Sequence, residues 1–487
     1  MNRTTLSLIA GVGALAALTG FATLSAPEAT GTDTARAAAR LPVERTSLAC
    51  PAPSTSDLAE TTYTSFTPVT EGTGAQGKGA LRPAGDGEAG KPVLEPGEPG
   101  SPVSGETSGG DAPALIGTAE GTFAPGWTVQ ETTEVSAGAG RGLLGIACSA
   151  PDTDFWFPGA STADGRTDYV HLTNPDDSAA VVDIELYGKD GALESTVGEG
   201  ITVAPNSSEP VLLSTLTEAA EADLTVHVNV RSGRVGAAVQ ALDDEAGGDW
   251  LAAAADPAGS LVLPGIPKDA TAVRLVAFTP GDADADLEVR LASPNGLITP
   301  AGQETLHVKS GATTAVDLGD VTRGEAGSLV LTPTDRAVPV VAAVQVVRGK
   351  GGSQETAFIP AARAVGARAT AVGNTAKGVT LSLAAAPGES AQVKVTASAG
   401  TEPGAAESKT YTVEAGTTQD VEVPVPSGLK GTYALTVESV SGGAVYASRT
   451  LTATQDGVPA FTIQTLPDDR GTVAVPEAEQ DLSVVQR

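Results

Sequence analysis

The sequence predicts an all-β fold, in which tandem immunoglobulin-like antiparallel β-sandwich modules follow an N-terminal transmembrane or signal helix. Three observations predict it. Apolar residues recur at a spacing of 105 positions through the second half of the chain, apolar and polar residues alternate within each repeat, and an uncharged apolar segment opens the sequence. A fixed long period indicates duplicated structural units, and a period of two indicates half-buried β-strands.

Valines mark the repeat most clearly. The matching sets are Val203, Val308 and Val413; Val211, Val316 and Val421; and Val235, Val340 and Val445. Because the same residue type returns at the same offset, we expect each set to occupy one structural position in successive copies.

The pattern inside a copy is that of strands. Leu224, Val226, Val228 and Val230 are apolar, whereas the residues between them are polar. This alternation places one face of a strand on a core and the other in water. About seven such strands in roughly 100 residues, joined by connections too short for crossover helices, favour an antiparallel sandwich.

The same spacing gives the domain organisation. The predicted segments are an anchor or signal at 1–26, a stalk at 27–45, a degenerate β module at 46–154 with a disordered insert at 70–112, β-sandwich modules at 155–259, 260–362 and 363–468, and a flexible tail at 469–487. The insert is predicted because its Gly, Pro, Ser and Glu content supplies little for a core.

The N-terminal segment predicts export. Arg3 precedes 23 uncharged positions, Thr4 to Ala26, and no further basic residue occurs before Arg36. That length can cross a hydrocarbon core of roughly 30 Å, and the charge bias favours an inside N-terminus. Two alternatives stay open: an uncleaved anchor on the extracellular face of the cytoplasmic membrane, or a cleaved signal and a secreted protein.

Composition excludes one class of partner. The chain has 29 basic and 59 acidic residues, for a net charge of −30. A field of that sign repels polyphosphate, so we expect no nucleic-acid binding.

The two cysteines, Cys50 and Cys148, fit an oxidising compartment, and we expect them to form a disulfide. Two buried thiols are the alternative, and a two-cysteine metal site is a weaker one because no histidine lies nearby.

No catalytic, cofactor-binding or metal-binding residue is predicted. The three histidines, His171, His227 and His307, stand on the polar side of predicted strands and do not recur at equivalent repeat positions. A run of acidic residues at 282–286 lacks the glycine and the final glutamate of a calcium loop, and the cluster at 243–249 has the pattern of a solvated turn.

Phe155, Trp156 and Phe157 form an aromatic run that has two interpretations. They either pack in a core or between modules, or they form a recognition surface of the kind that sugar-binding modules use.

The segments LPVERTSLACPAP at 41–53 and IACSAPDTDFWFPGAS at 146–161, together with the apolar N-terminus and the β repeats, resemble an actinobacterial exported family, domain of unknown function 5719. The resemblance implies an envelope location and no known activity. It also implies a loose association with membrane glycosyltransferases and hence a role with a cell-envelope polymer.

These observations favour a non-enzymatic envelope protein that serves as a scaffold or binding module for an envelope protein partner. The alternative is an array of carbohydrate-binding modules that contacts cell-wall glycan. A hydrolase would require an acid and base pair that the sequence does not reveal.

Overall fold

β-Strands form almost all of the regular structure of this protein. The computed structural model describes residues 39–85, 90–195, 197–401, 404–455 and 458–475. In these ranges the fold is all-β, with antiparallel sheets and two short 3₁₀ helices at Leu213–Thr215 and Gly351–Ser353. The predicted all-β class is therefore confirmed. The predicted segment 1–26 lies outside the described residues.

The first sheet pair combines a three-stranded and a four-stranded sheet. In spatial order these are β2 (Arg45–Cys50), β6 (Leu115–Gly121) and β4 (Gly77–Pro83), and then β5 (Val103–Ser108), β3 (Ala59–Phe66), β7 (Thr128–Val135) and β8 (Gly142–Ala147). Both sheets contribute to one core, which contains the two cysteines, Tyr63 and Trp127.

The second sheet pair has one strand position more than the first, if β12 and β13 are counted as one position. One sheet holds β12 (Gly191–Ala192), β11 (Ala180–Gly188), β15 (Leu224–Ser232) and β9 (Asp154–Ala160), with β13 (Ile201–Val203) also beside β11. The other holds β14 (Ser207–Leu212), β10 (Arg166–Asn174), β16 (Gly236–Asp243) and β17 (Gly247–Leu251).

The third sheet pair repeats this order. One sheet holds β18 (Leu261–Ile266), β24 (Gly327–Pro333), β20 (Ala285–Ser293) and β21 (Gly296–Ile298), with β22 (Thr305–Val308) beside β20. The other holds β23 (Thr313–Asp317), β19 (Ala270–Phe278), β25 (Val341–Arg348) and β26 (Glu355–Pro360).

The fourth sheet pair follows the same plan. One sheet holds β27 (Arg368–Asn374), β32 (Tyr433–Gly442), β29 (Ala391–Gly400) and β30 (Glu407–Val413), and the other holds β31 (Thr418–Val421), β28 (Val379–Ala385), β33 (Val445–Gln455) and β34 (Val458–Thr465). A separate two-stranded sheet joins β1 (Ala39–Pro42) to β35 (Thr472–Val475).

Repeat-related residues lie at equivalent places in these sheets. Val203, Val308 and Val413 end β13, β22 and β30, and each is almost wholly buried. Along β15 the four predicted apolar residues are buried. Thr225 is buried as well, and its hydroxyl accepts a hydrogen bond from Thr313 of the third sheet pair.

Three predicted irregular segments contain strands. The prediction of a disordered insert at 70–112 is wrong, because β4 and β5 lie within this segment. β-Sheet hydrogen bonds use backbone groups alone, so a segment with small side chains can still form sheet edges. The stalk at 27–45 includes β1, and the tail at 469–487 includes β35.

Candidate functional site

The last strands of the four sheet pairs pack against one another. β8 contacts β17 and β34, and β26 contacts the same two strands. We call this closed circuit of β8, β17, β26 and β34 the strand ring. Because each strand comes from a different sheet pair, contacts between these four buried strands hold the four pairs together.

A carboxylate ties three strands of the ring together. Asp249 on β17 is fully buried, and its Oδ1 accepts hydrogen bonds from the Gly145 backbone N–H at 3.1 Å and the Thr462 hydroxyl at 3.0 Å. Gly145 also allows β34 to approach β8, since a Cβ at position 145 would lie 2.5 Å from Nε2 of Gln464 and 2.6 Å from Cγ2 of Thr462. Burial raises the pKa of Asp249 well above its usual value. The prediction that residues 243–249 form a solvated turn is therefore wrong for Asp249.

A second carboxylate, Glu355 at the start of β26, lies near the first. Nε of Arg141 is 4.0 Å from its Oε1, and Arg141 also donates to the carbonyls of Glu245 at 2.7 Å and Gln354 at 2.9 Å. Burial raises the pKa of Glu355 to about 7, and its charge raises the pKa of Asp249 further. Both side chains are almost inaccessible to solvent, so this pair is poorly placed for acid and base catalysis on a substrate.

A cavity of about 310 Å³ lies where the ring strands end. Its walls are segments that include the ends of these strands and the connections that follow them, at 145–150, 252–256, 360–363 and 463–470. Four aromatic side chains also line it, those of Trp127, Phe155, Trp250 and Phe358. This volume is at the lower end of the range typical of small-molecule sites.

Arg449 is the largest fully buried side chain among the described residues, and it lines this cavity. Its guanidinium donates to the Val372 carbonyl, to Oδ1 of Asn374 at 2.9 Å and to Oε1 of Gln464. All three acceptors are neutral, and burial lowers the pKa of Arg449 to about 9. The cavity therefore has a buried cation in its wall.

The structure joins Cys50 and Cys148 in a disulfide within the first sheet pair. Cys148 also contributes to the cavity wall.

Phe155, Trp156 and Phe157 are all buried, so the packing interpretation is correct and the run does not form an exposed recognition surface. Phe155 also lines the cavity. The Trp156 ring stacks on His227 with a centroid separation of 3.8 Å and on Phe278 of the third sheet pair at 5.4 Å. The aromatic run packs within and between sheet pairs because β9 is covered on both faces.

The histidines occupy three different environments. His171 is buried, contrary to its predicted place on a polar face, and burial lowers its pKa to about 4. His227 lies between Glu185 at 2.8 Å and Asp154 at 3.2 Å. His307 is exposed and contacts Asp286. Among the described residues, no group of three or more potential ligands could hold a metal.

Sequence reasoning missed Arg449 and Glu355, and it placed Asp249 in solvent. The available signal was a charged residue inside a strand pattern: Arg449 follows Val445 and Ala447 at the same alternation, and Asp249 precedes Trp250-Leu251. Charged residues are rarely buried without a specific role in packing or function.

Within the described ranges, no helix is long and apolar enough to cross a bilayer.

Comparison with known proteins gives a family but no activity. No curated protein matches the chain. Among solved structures, a GH78-family rhamnosidase of Bacillus sp. GL1 is 9% identical and has a TM-score of 0.12. The match covers 91% of this chain and 55% of the rhamnosidase, so this chain spans about half of that enzyme's length. A likeness this low carries no argument about fold or activity.

The model of DUF5719, described as a family of unknown function, matches residues 103–424. These residues run from β5 to just beyond β31 and so include most of the sheets that surround the strand ring. This is about two thirds of the sequence, and the chain belongs to the DUF5719 family.

Proposed function

We propose that this chain is an exported, non-catalytic cell-envelope protein that acts as a scaffold or binding module for an envelope partner. The strand ring carries the proposal. It fixes four sheet pairs to one another through buried contacts, and a body of this kind can hold partners at defined positions. The acidic residues that could resemble a catalytic pair, Asp249 and Glu355, lie inside the ring and have a structural use there.

Export is supported by two independent features. The apolar segment from Thr4 to Ala26 has the length and charge bias of an anchor or signal. The disulfide between Cys50 and Cys148 is typical of proteins that fold outside the cytoplasm. An anchored form would lie on the extracellular face of the cytoplasmic membrane, and a cleaved form would be secreted.

We also propose that each sheet pair is a variant immunoglobulin-like sandwich module. In the second to fourth pairs, the second strand pairs with the fifth and the third with the sixth, counting β12 with β13 and β21 with β22 as one position. Immunoglobulin domains share these pairings. The outer strands are exchanged: the first lies beside the sixth and the seventh beside the second.

Labelling of intact cells tests export. Ala376 is exposed in the connection between β27 and β28, so Ala376→Cys supplies a thiol that a membrane-impermeant maleimide can reach. We expect this thiol to be labelled on intact cells to the same extent as after lysis, while a cytoplasmic marker protein is labelled only after lysis. Labelling of the variant only after lysis would overturn the proposed location.

Quantitative co-purification of the full chain tests the binding role. We expect a membrane glycosyltransferase or another envelope protein to co-purify at a fixed ratio after mild detergent extraction. An unrelated anchored protein with the same tag serves as the control. Equal recovery with the control removes the scaffold proposal, and retention on purified wall glycan without a protein partner would favour the carbohydrate-binding alternative instead.

A further inference from the structure

The cavity at the end of the strand ring has a positively charged inner wall. Arg449 is 1% exposed, and no acidic side chain among the described residues pairs with it. With a pKa near 9 it stays protonated at neutral pH. A buried charge that has only neutral acceptors is costly, and a ligand carboxylate would offset this cost through charge-assisted hydrogen bonds.

Three side chains of this wall carry unused donors. Nε of Arg449, Nε2 of Gln464 and Nε1 of Trp250 are buried and have no hydrogen-bond partner among the residues that the structure describes. All three residues line the cavity, and each is more than nine-tenths buried. The amide orientation of Gln464 follows from its bond to Arg449, since its Oε1 accepts that bond. The inner wall therefore matches a ligand that presents several acceptor oxygens.

The mouth of the cavity carries the opposite charge. Asp152 and Asp468 both line it, and neither has a basic partner in the described chain. Asp152 accepts only the Thr153 backbone N–H, at 2.8 Å, and Asp468 accepts the backbone N–H groups of Ala367 and Arg470 at 2.8 and 2.7 Å.

The other charged groups that line the cavity are largely paired. Asp256 forms an ion pair with Arg363 at 2.6 Å, and Asp154 contacts His227 at 3.2 Å. Asp469 is bound to Arg368. Arg470 is exposed too, and no acidic side chain of the described chain pairs with it, so the exposed part of the wall has two unpaired carboxylates and one unpaired cation. The unpaired groups therefore have an excess of one negative charge where the wall is exposed and one positive charge where it is buried.

We propose that this cavity binds a small zwitterion, an amino acid or a short peptide, whose carboxylate meets the donors around Arg449 and whose ammonium group faces Asp152 and Asp468. The aromatic walls at Trp127 and Phe155 favour an apolar side chain on the ligand. This inference goes beyond the proposed envelope role and does not depend on export.

Isothermal titration calorimetry and thermal shift measurements on the oxidised chain test the proposal. The probes are the standard amino acids and dipeptides of alanine, leucine and phenylalanine, each also as its C-terminal amide and its N-acetyl derivative. We expect at least one free zwitterion to bind saturably, and both derivatives to bind at least tenfold more weakly. No binding at millimolar concentration, or equal binding of the derivatives or of neutral sugars, would overturn the proposal.

Variants separate the two ends of the cavity. Arg449→Met should abolish binding of the zwitterion. The double variant Asp152→Asn and Asp468→Asn changes exposed or partly exposed side chains and should fold even if the arginine variant does not. It should weaken binding of the zwitterion at least fivefold but leave binding of the N-acetyl derivative unchanged. Asp177→Asn, at an exposed residue that does not line the cavity, is the matched control, and unchanged binding in the double variant contradicts the assignment.

Discussion

Glu355 should make the stability of this protein fall as pH rises toward neutrality. Its carboxyl is buried in the strand ring, and burial raises its pKa from 4.5 to about 7. The folded state therefore holds this proton more tightly than the unfolded state does. The associated stability is fully present below pH 4.5, decreases as pH rises, and is lost above about pH 7.

The size of the effect follows from the pKa change. Moving a carboxyl pKa from 4.5 to about 7 corresponds to about 3 kcal/mol of unfolding free energy across that pH range. The attraction of Arg141 is already contained in this pKa. We expect a value of about 1 to 3 kcal/mol, because relaxation of the ring reduces the penalty on the charged form. In Glu355→Gln this pH-dependent part disappears. Arg141 keeps its two carbonyl acceptors in the variant.

Urea unfolding at several pH values between 5 and 8 measures this difference. Relative to the natural protein, Glu355→Gln should gain about 1 to 3 kcal/mol between the two ends of the range. Glu218→Gln, which changes an exposed glutamate in a connection, should give a curve parallel to that of the natural protein. Parallel curves for Glu355→Gln as well would refute the assignment of a raised pKa to this buried carboxyl.

Two further predictions concern packing and the disulfide. Trp156→Ala should lower the unfolding free energy by about 3 to 5 kcal/mol, because it removes a buried ring that contacts Phe278; a loss below about 1 kcal/mol in denaturant titration would mean that the ring is solvated. Alkylation followed by mass spectrometry should modify Cys50 and Cys148 only after reduction, and for a sequence separation of 98 residues, reduction should cost up to about 5 kcal/mol. Labelling of the unfolded, unreduced chain would show free thiols instead.

Local patterning made the strands predictable. Along β15 the alternation of Leu224 and Val226 with polar neighbours identifies the buried face, and the recurring valines identify equivalent strand ends. Segments without that pattern escaped detection. β5 contains glycine and small polar residues and has no buried side chain, and β4 buries only Ala80 and Leu81, so both strands depend largely on backbone pairing with β3 and β6.

The candidate site could not be predicted, because it depends on contacts between distant parts of the chain. Thr462 meets Asp249 across 213 positions, and no local pattern reveals such a contact. The same holds for Trp156, whose outer face would meet water in an isolated sheet but is covered by Phe278. An isolated strand pattern shows which face has an apolar neighbour within its own sandwich, but it does not show whether a second sandwich covers the opposite face.

The contact between β8 and β34 limits how a protein with this strand ring can vary in length. In an open array each repeat touches only its neighbours, so duplication or deletion of one copy leaves the remaining interfaces intact. Here the first and last sheet pairs meet, so a fifth pair would have to separate them, and loss of one pair would expose the strands of the two pairs that it contacts. We therefore expect homologues that have this strand ring to keep four sheet pairs and to differ mainly in their connecting loops.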